Sequence, residues 1–190
     1  MNHKKRRYHD KGDYPVLPPI PDHIHNEYQK LASTVQNCVD SHEILSKFYA
    51  FTDEYNKFVD TFSVCEKGCS YCCHIEVYIT DLEAEYIEQK AKISRVKSLP
   101  NTLSVSKCPF LNQNNICSIY MYRPFACRTF HALDNPNYCK EMDVAHQTYG
   151  AAGGKGIPML EALNNAIKQI NGNNCSGDIR EYFSQLRKSE

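Results

Sequence analysis

Apolar side chains recur in this sequence first at helical spacing and then at strand spacing. Ile24, Tyr28, Leu31, Val35 and Cys38 follow the one-face rhythm of an amphipathic helix. Ile44, Phe48, Phe51, Tyr55, Phe58 and Phe62 keep a similar rhythm, opened by Asp40 and Glu43 in the order of a helix-capping pair. Two such stripes across a short break predict an antiparallel helical hairpin over residues 22–62, with the aromatic stripe as core. Cys38 lies on the first stripe and reads as a small core residue rather than a ligand.

The period then shortens. Ile75, Val77 and Ile79 alternate with Glu76, Tyr78 and Thr80, as in a half-buried strand. Thr80-Asp-Leu-Glu83 matches a capping box and predicts a helix that buries Leu82, Tyr86 and Ile87. Residues 93–107 are polar, are interrupted by Pro100 and read as a loop. Cys108-Pro-Phe-Leu111 and Ile116-Cys117 flank an asparagine-rich turn, which predicts a β-hairpin. Pairing Leu111 with Ile116 would set Phe110 opposite Cys117, and Cys108 and Cys117 on one side. The glycine-rich segment 150–156 lacks the Walker spacing and reads as a flexible linker. Pro158 opens a helix carrying Leu160, Leu163, Ile167 and Ile170, and a last helix carries Ile179, Tyr182, Phe183 and Leu186.

At 190 residues and 42% apolar composition, the chain fits one domain with accessories. Its 22 basic and 22 acidic residues balance, so nothing draws the whole chain to nucleic acid, and no basic–aromatic pattern suggests it locally. The one local excess is N-terminal, where Lys4, Lys5, Arg6, Arg7 and Lys11 face Asp10. With the prolines that follow, residues 1–21 read as a solvated, extended arm. No apolar run approaches the ~20 residues that cross a bilayer, and the N-terminus has no secretory apolar stretch. The expected location is the cytoplasm, where thiols stay reduced and bind metal more often than they form disulfides.

That matters because eight of the ten cysteines fall between Cys65 and Cys139. Four open the stretch as Cys65-x3-Cys69-x2-Cys72-Cys73, and Cys108, Cys117, Cys127 and Cys139 follow. The first four would gather on one side either as a helix face or as a loop turning at Gly68. Thiolates in such number suit Zn2+ or iron, including an iron–sulfur cluster, and spacing does not choose among them. Adjacent side chains such as Cys72 and Cys73 rarely both reach one tetrahedral ion, so one would bridge or serve a second metal. Two four-thiolate zinc sites and one cluster with supporting thiols both remain open. Arg123, Arg128 and Lys67 are near enough in sequence to offset the negative charge of a thiolate site. His74 and His131 are left outside it, and Cys175 reads as a loop thiol.

The segments Cys65-x3-Cys69-x2-Cys72-Cys73, Cys108-Pro-Phe-Leu, Cys117-x-Ile-Tyr and Arg123-Pro-x2-Cys127-Arg together resemble the YkgJ-type cysteine-cluster family. The resemblance covers roughly residues 62–140 and implies a zinc- or iron-chelating domain. A related segment accompanies further sequence in flagellin lysine methylases. This chain has no recognisable glycine-rich S-adenosylmethionine site, so methyl transfer is not implied.

The expected architecture is an α+β fold, mainly helical, with a cysteine-rich metal-binding centre containing a short β-hairpin. Its parts would be an arm (1–21), a helical hairpin (22–62), a cysteine-cluster core (63–145) and C-terminal helices packed on it (146–190). The expected function is metal binding through Cys65, Cys69, Cys72, Cys73, Cys108, Cys117, Cys127 and Cys139, with a protein redox or metallation partner. An iron–sulfur electron carrier and a zinc-stapled interaction module are the alternatives. No HExxH, serine-elbow or paired-carboxylate motif marks an enzyme, and a redox component is the catalytic role left open.

Overall fold

A computed structural model describes residues 16–66, 68–96, 107–140, 146–150 and 155–184. The fold is α+β and mainly helical. The basic arm expected over residues 1–21 lies outside the described residues up to position 15. Leu17 and Ile20 pack against the helical core.

Helix α1 (Asp22–Val35) and helix α2 (Ser41–Val59) lie against each other. Asp40 caps α2 as its spacing suggests, its carboxylate accepting the His42 and Glu43 amides at 2.8 and 3.1 Å. Helix α1 stops short of Cys38, which the periodicity had placed on its stripe. Cys38 instead lies half-buried in the connector, its thiol near the Thr34 carbonyl and the Glu43 carboxylate.

The strand expected from Ile75 onward is confined to β1 (Tyr78–Thr80). The reason is pairing: its partner β5 (Ser176–Asp178) offers only three residues, with Tyr78 opposite Asp178. Thr80 then caps helix α3 (Asp81–Ala91) through the full reciprocal box with Glu83. Glu83 is also a junction. Its buried carboxylate accepts from the Tyr49 hydroxyl at 3.1 Å and from the Phe125 amide at 2.8 Å, tying α2 and α3 to helix α4 (Phe125–Arg128).

A second, three-stranded sheet orders β2 (His131–Ala132), β3 (Thr148–Gly150) and β4 (Lys155–Gly156). The glycine-rich segment read as a linker therefore contributes strand residues at both ends, while residues 151–154 lie outside the described residues. Helix α5 (Pro158–Asn171) begins at its proline, and α6 (Ile179–Tyr182) is a single turn; Leu186, expected on that helix, is outside the described residues.

Helix α3 separates two cores. Leu82 and Tyr86 face the helical core of Phe48, Tyr55, Leu160 and Ile167. Ala84 and Ile87 face a second core of Ile79, Phe110, Leu111, Ile119, Tyr182 and Phe183. Each fully buried side chain of this size contributes about 1.5–3 kcal/mol of hydrophobic stabilisation. A third, small cluster of Val64, Ala132 and Cys139 sits where the cysteines begin.

Candidate metal centre

The four leading cysteines are held in a loop rather than on a helix. Gly68 takes a φ of 94°, a turn that favours glycine, and the Cys69 amide closes it on the Glu66 carbonyl at 2.9 Å. Cys72 and Cys73 follow in a 3-10 turn, Tyr71–His74. Upstream, Val64 and Cys65 run beside β2: the Val64 amide donates to the Ala132 carbonyl at 3.0 Å, and the Ala132 amide donates back to the Cys65 sulfur at 3.3 Å.

The later cysteines arrive from three other segments. The Cys108 amide donates to the Cys73 carbonyl at 2.8 Å, which brings the hairpin against the 3-10 turn. That hairpin is present, but Leu111 bridges to Cys117 and not to Ile116. The cause is the Asn112 side chain, whose oxygen accepts both the Asn114 and Ile116 amides and so lengthens the turn by one residue. Cys108 and Cys117 still interact electrostatically across it. Cys127 lies in α4, and Cys139 is buried in a second 3-10 turn, Pro136–Lys140, packed against the first.

All ten cysteines carry free thiols. Burial pushes the thiols of Cys69, Cys108, Cys117, Cys127 and Cys139 above their ordinary range, Cys108 to about 11. Backbone amides two residues on oppose that shift at three of them: Tyr71 at Cys69, Phe110 at Cys108 and Ile119 at Cys117. Amides aimed at sulfur stabilise thiolates, whether free or bound to a cation. Cys72 goes the other way. A hydrogen bond from the Cys73 thiol, and then the Arg123 guanidinium, lower it, while Cys73 is raised by the same contact.

Arg180 lowers Cys108, and three other thiols answer to Arg123. Arg123 lowers Cys72, Cys117 and Cys127, stacks 4.0 Å over the Tyr120 ring, and its buried Nε has no hydrogen-bond partner. Arg128, paired with it in the sequence reading, turns away toward α2. It pairs with Asp53 at 2.6 Å and covers the Tyr49 ring. Lys67, the third candidate, lies outside the described residues. Cys65, Cys69, Cys72, Cys127 and Arg123 line one cavity of about 210 Å³, together with His131. His131 is a wall and not a free ligand: its Nε2 lies 3.0 Å from the Asn56 amide oxygen, and it bonds the Arg128 backbone. Burial drives its pKa down to about 4. Cys175 is exposed in the turn before β5.

Among the described residues, no three His, Cys, Asp or Glu side chains stand ready to hold a metal ion together. The eight thiols are nevertheless linked in one electrostatic network, and each has a single side-chain rotor to turn. A soft, all-sulfur donor set with amides directed at it and an uncommitted guanidinium nearby fits zinc or iron.

The sequence reading missed what holds the Cys73 turn. Arg180 donates to the Cys73 and Ile75 carbonyls at 3.2 and 2.7 Å and pairs with buried Asp178 at 2.9 Å. Asp178 in turn accepts the Val77 amide at 2.7 Å. A signal was present, since Asp178-x-x-Glu181 is a capping box.

No helix among the described residues is long and apolar enough to cross a membrane. No curated protein and no solved structure matches the chain significantly. One family model does match, over the segment that holds all eight clustered cysteines, and it supports metal binding in general terms. Residues 64–149 match the model of the CxxCxxCC family, described as "Putative zinc- or iron-chelating domain".

Proposed function

We propose that this chain is a cytoplasmic metal-binding protein that holds Zn2+ or an iron centre, iron–sulfur included, through Cys65, Cys69, Cys72, Cys73, Cys108, Cys117, Cys127 and Cys139. The observation that carries this reading is the gathering of free thiols from four chain segments: Cys65, Cys69, Cys72 and Cys127 line one cavity, Cys139 packs in one cluster with Cys65 and Cys72, and Cys73, Cys108 and Cys117 pack in the second core. Bringing so many partly buried thiols together without a cation gains little, because burial disfavours every thiolate. A bound cation reverses that balance, and its binding energy becomes folding energy.

Cys69→Ser and Cys72→Ser are expected to lower metal content and melting temperature together, whereas Cys38→Ser leaves metal content unchanged. Elemental analysis and thermal melts read both, and normal loading in the two ligand variants would defeat the assignment. Elemental analysis with electron paramagnetic resonance on anaerobically prepared protein chooses the metal. Colour that bleaches on reduction supports an electron carrier working with a protein redox partner, and a colourless protein with stoichiometric zinc excludes that role for the isolated protein.

A further inference from the structure

Arg123, Arg128 and Arg180 adjoin cysteine-bearing segments, and two of them are committed to other groups. Arg128 pairs with Asp53 and donates to the Met121 and Arg123 carbonyls. Arg180 pairs with Asp178 and donates to the Cys73 and Ile75 carbonyls. Arg123 has no such partner among the described residues. Its Nε is buried without an acceptor, and its guanidinium lies 4.0 Å over the Tyr120 ring. Asp60 and Glu66, the carboxylates that share its cavity, make no ion pair with it.

The local sequence fixes the side chain there. Arg123 follows the 3-10 turn Tyr120–Tyr122 and precedes Pro124, which favours the extended backbone that Arg123 adopts, with φ −56° and ψ 144°. In that position the guanidinium stands in the cavity wall with Cys65, Cys69, Cys72 and Cys127. An aromatic face carries no net charge and offsets only part of the cost of taking a cation out of water. Protonated thiols supply no counter-charge either, so Arg123 weakens the metal-free fold. Thiolates that outnumber the charges of a divalent ion do supply one.

We infer that Arg123 is the counter-cation of the metal-loaded thiolate centre, a residue that costs the metal-free protein stability and strengthens its hold on metal. This rests on the thiolate metal binding proposed above and adds where the negative charge of that centre is met. Structure and metal binding can be separated at this position. The Arg128 Nε donates to the backbone carbonyl of Arg123, so replacing the Arg123 side chain removes no hydrogen bond from the fold. Methionine keeps an unbranched apolar stem that can pack on the Tyr120 ring without the charge.

The test titrates the full reduced chain with Co2+, whose thiolate charge-transfer absorption reports the centre, and melts each variant with and without the metal. Metal-free Arg123→Met should melt no lower than the wild type, yet bind Co2+ about tenfold more weakly or worse. Its charge-transfer band should move to longer wavelength, because a nearby cation lowers the energy of the sulfur lone pairs. Arg123→Lys keeps the charge and should fall between the two in affinity. Wild-type affinity and band in Arg123→Met would overturn the inference while leaving metal binding intact. Arg123→Lys binding no better than Arg123→Met would do the same. A metal-free melt of Arg123→Met lowered as far as its loaded melt would mark the arginine as merely structural and overturn it too. No charge-transfer absorption in the wild type would instead overturn the underlying thiolate reading.

Discussion

Gly150 occupies a place where no side chain fits. Its φ is 149°, and a Cβ there would lie 1.5 Å from the Thr129 carbonyl oxygen. Gly150→Ala is expected to cost about 3 kcal/mol or more by forcing β3 away from the segment between α4 and β2, read as a lowered urea midpoint. Glu83 makes the opposite kind of demand. One buried carboxylate accepts from Tyr49, Phe125 and both the amide and hydroxyl of Thr80. Glu83→Ala leaves those donors without an acceptor and should cost at least about 3 kcal/mol, measured the same way. The capping role of Glu83 was legible in the sequence because its partner lies three residues away. Its bonds to Tyr49 and Phe125 span 34 and 42 residues, and no local pattern encodes them. Arg128 fails for a similar reason: proximity to Cys127 in sequence placed it beside the thiols, but Asp53 draws it elsewhere.

Elements whose ends carry their own chemistry were legible. Asp40, Thr80 and Pro158 each mark a helix start, and α2, α3 and α5 begin there. Elements defined by a distant partner were not. Strand β1 is as long as β5 allows, and the hairpin register follows one asparagine side chain rather than the apolar pattern. The pairing of β1 with β5 also brings Asp178 and Arg180 to the Cys73 turn. Asp178→Ala removes a buried carboxylate from both the Arg180 guanidinium and the Val77 amide, and about 3–5 kcal/mol of stability should go with it. Because Arg180 holds the Cys73 carbonyl, metal content should fall together with stability in this variant, read by elemental analysis. Unchanged metal content in the destabilised variant would show that the clasp serves the fold alone.

Across the whole molecule the helical layer and the cysteine region differ in what holds them. Helix α2 is covered on its long axis by buried aromatic and aliphatic side chains. Apart from helix α3, the described part of the region from Cys65 to Cys139 consists of short turns, one bridge, strands of two or three residues and the single turn of α4, and its leading cysteines have only the small cluster on β2 beside them. Chelation should therefore loosen residues 62–140 before α1 and α2, seen as earlier hydrogen exchange in that segment. Uniform loss of protection through α2 would refute that order. The cysteine spacing made this region recognisable from the sequence, because thiol number and position are local facts. How the thiols meet was not legible, since it depends on a 3-10 turn at Cys72 and Cys73 that the spacing does not encode.

The clasp on that turn comes from far along the chain, at Asp178 and Arg180, beyond the segment that the family model matches. On the ribosome, the Cys73 turn emerges before the residues that will clasp it. The nascent protein thus passes through an interval in which its sulfurs are present and their brace is still inside the exit tunnel. Cation capture, or protection of the bare thiols by a chaperone, has its natural opening then. An excised piece ending near residue 150 would prolong that unbraced condition indefinitely.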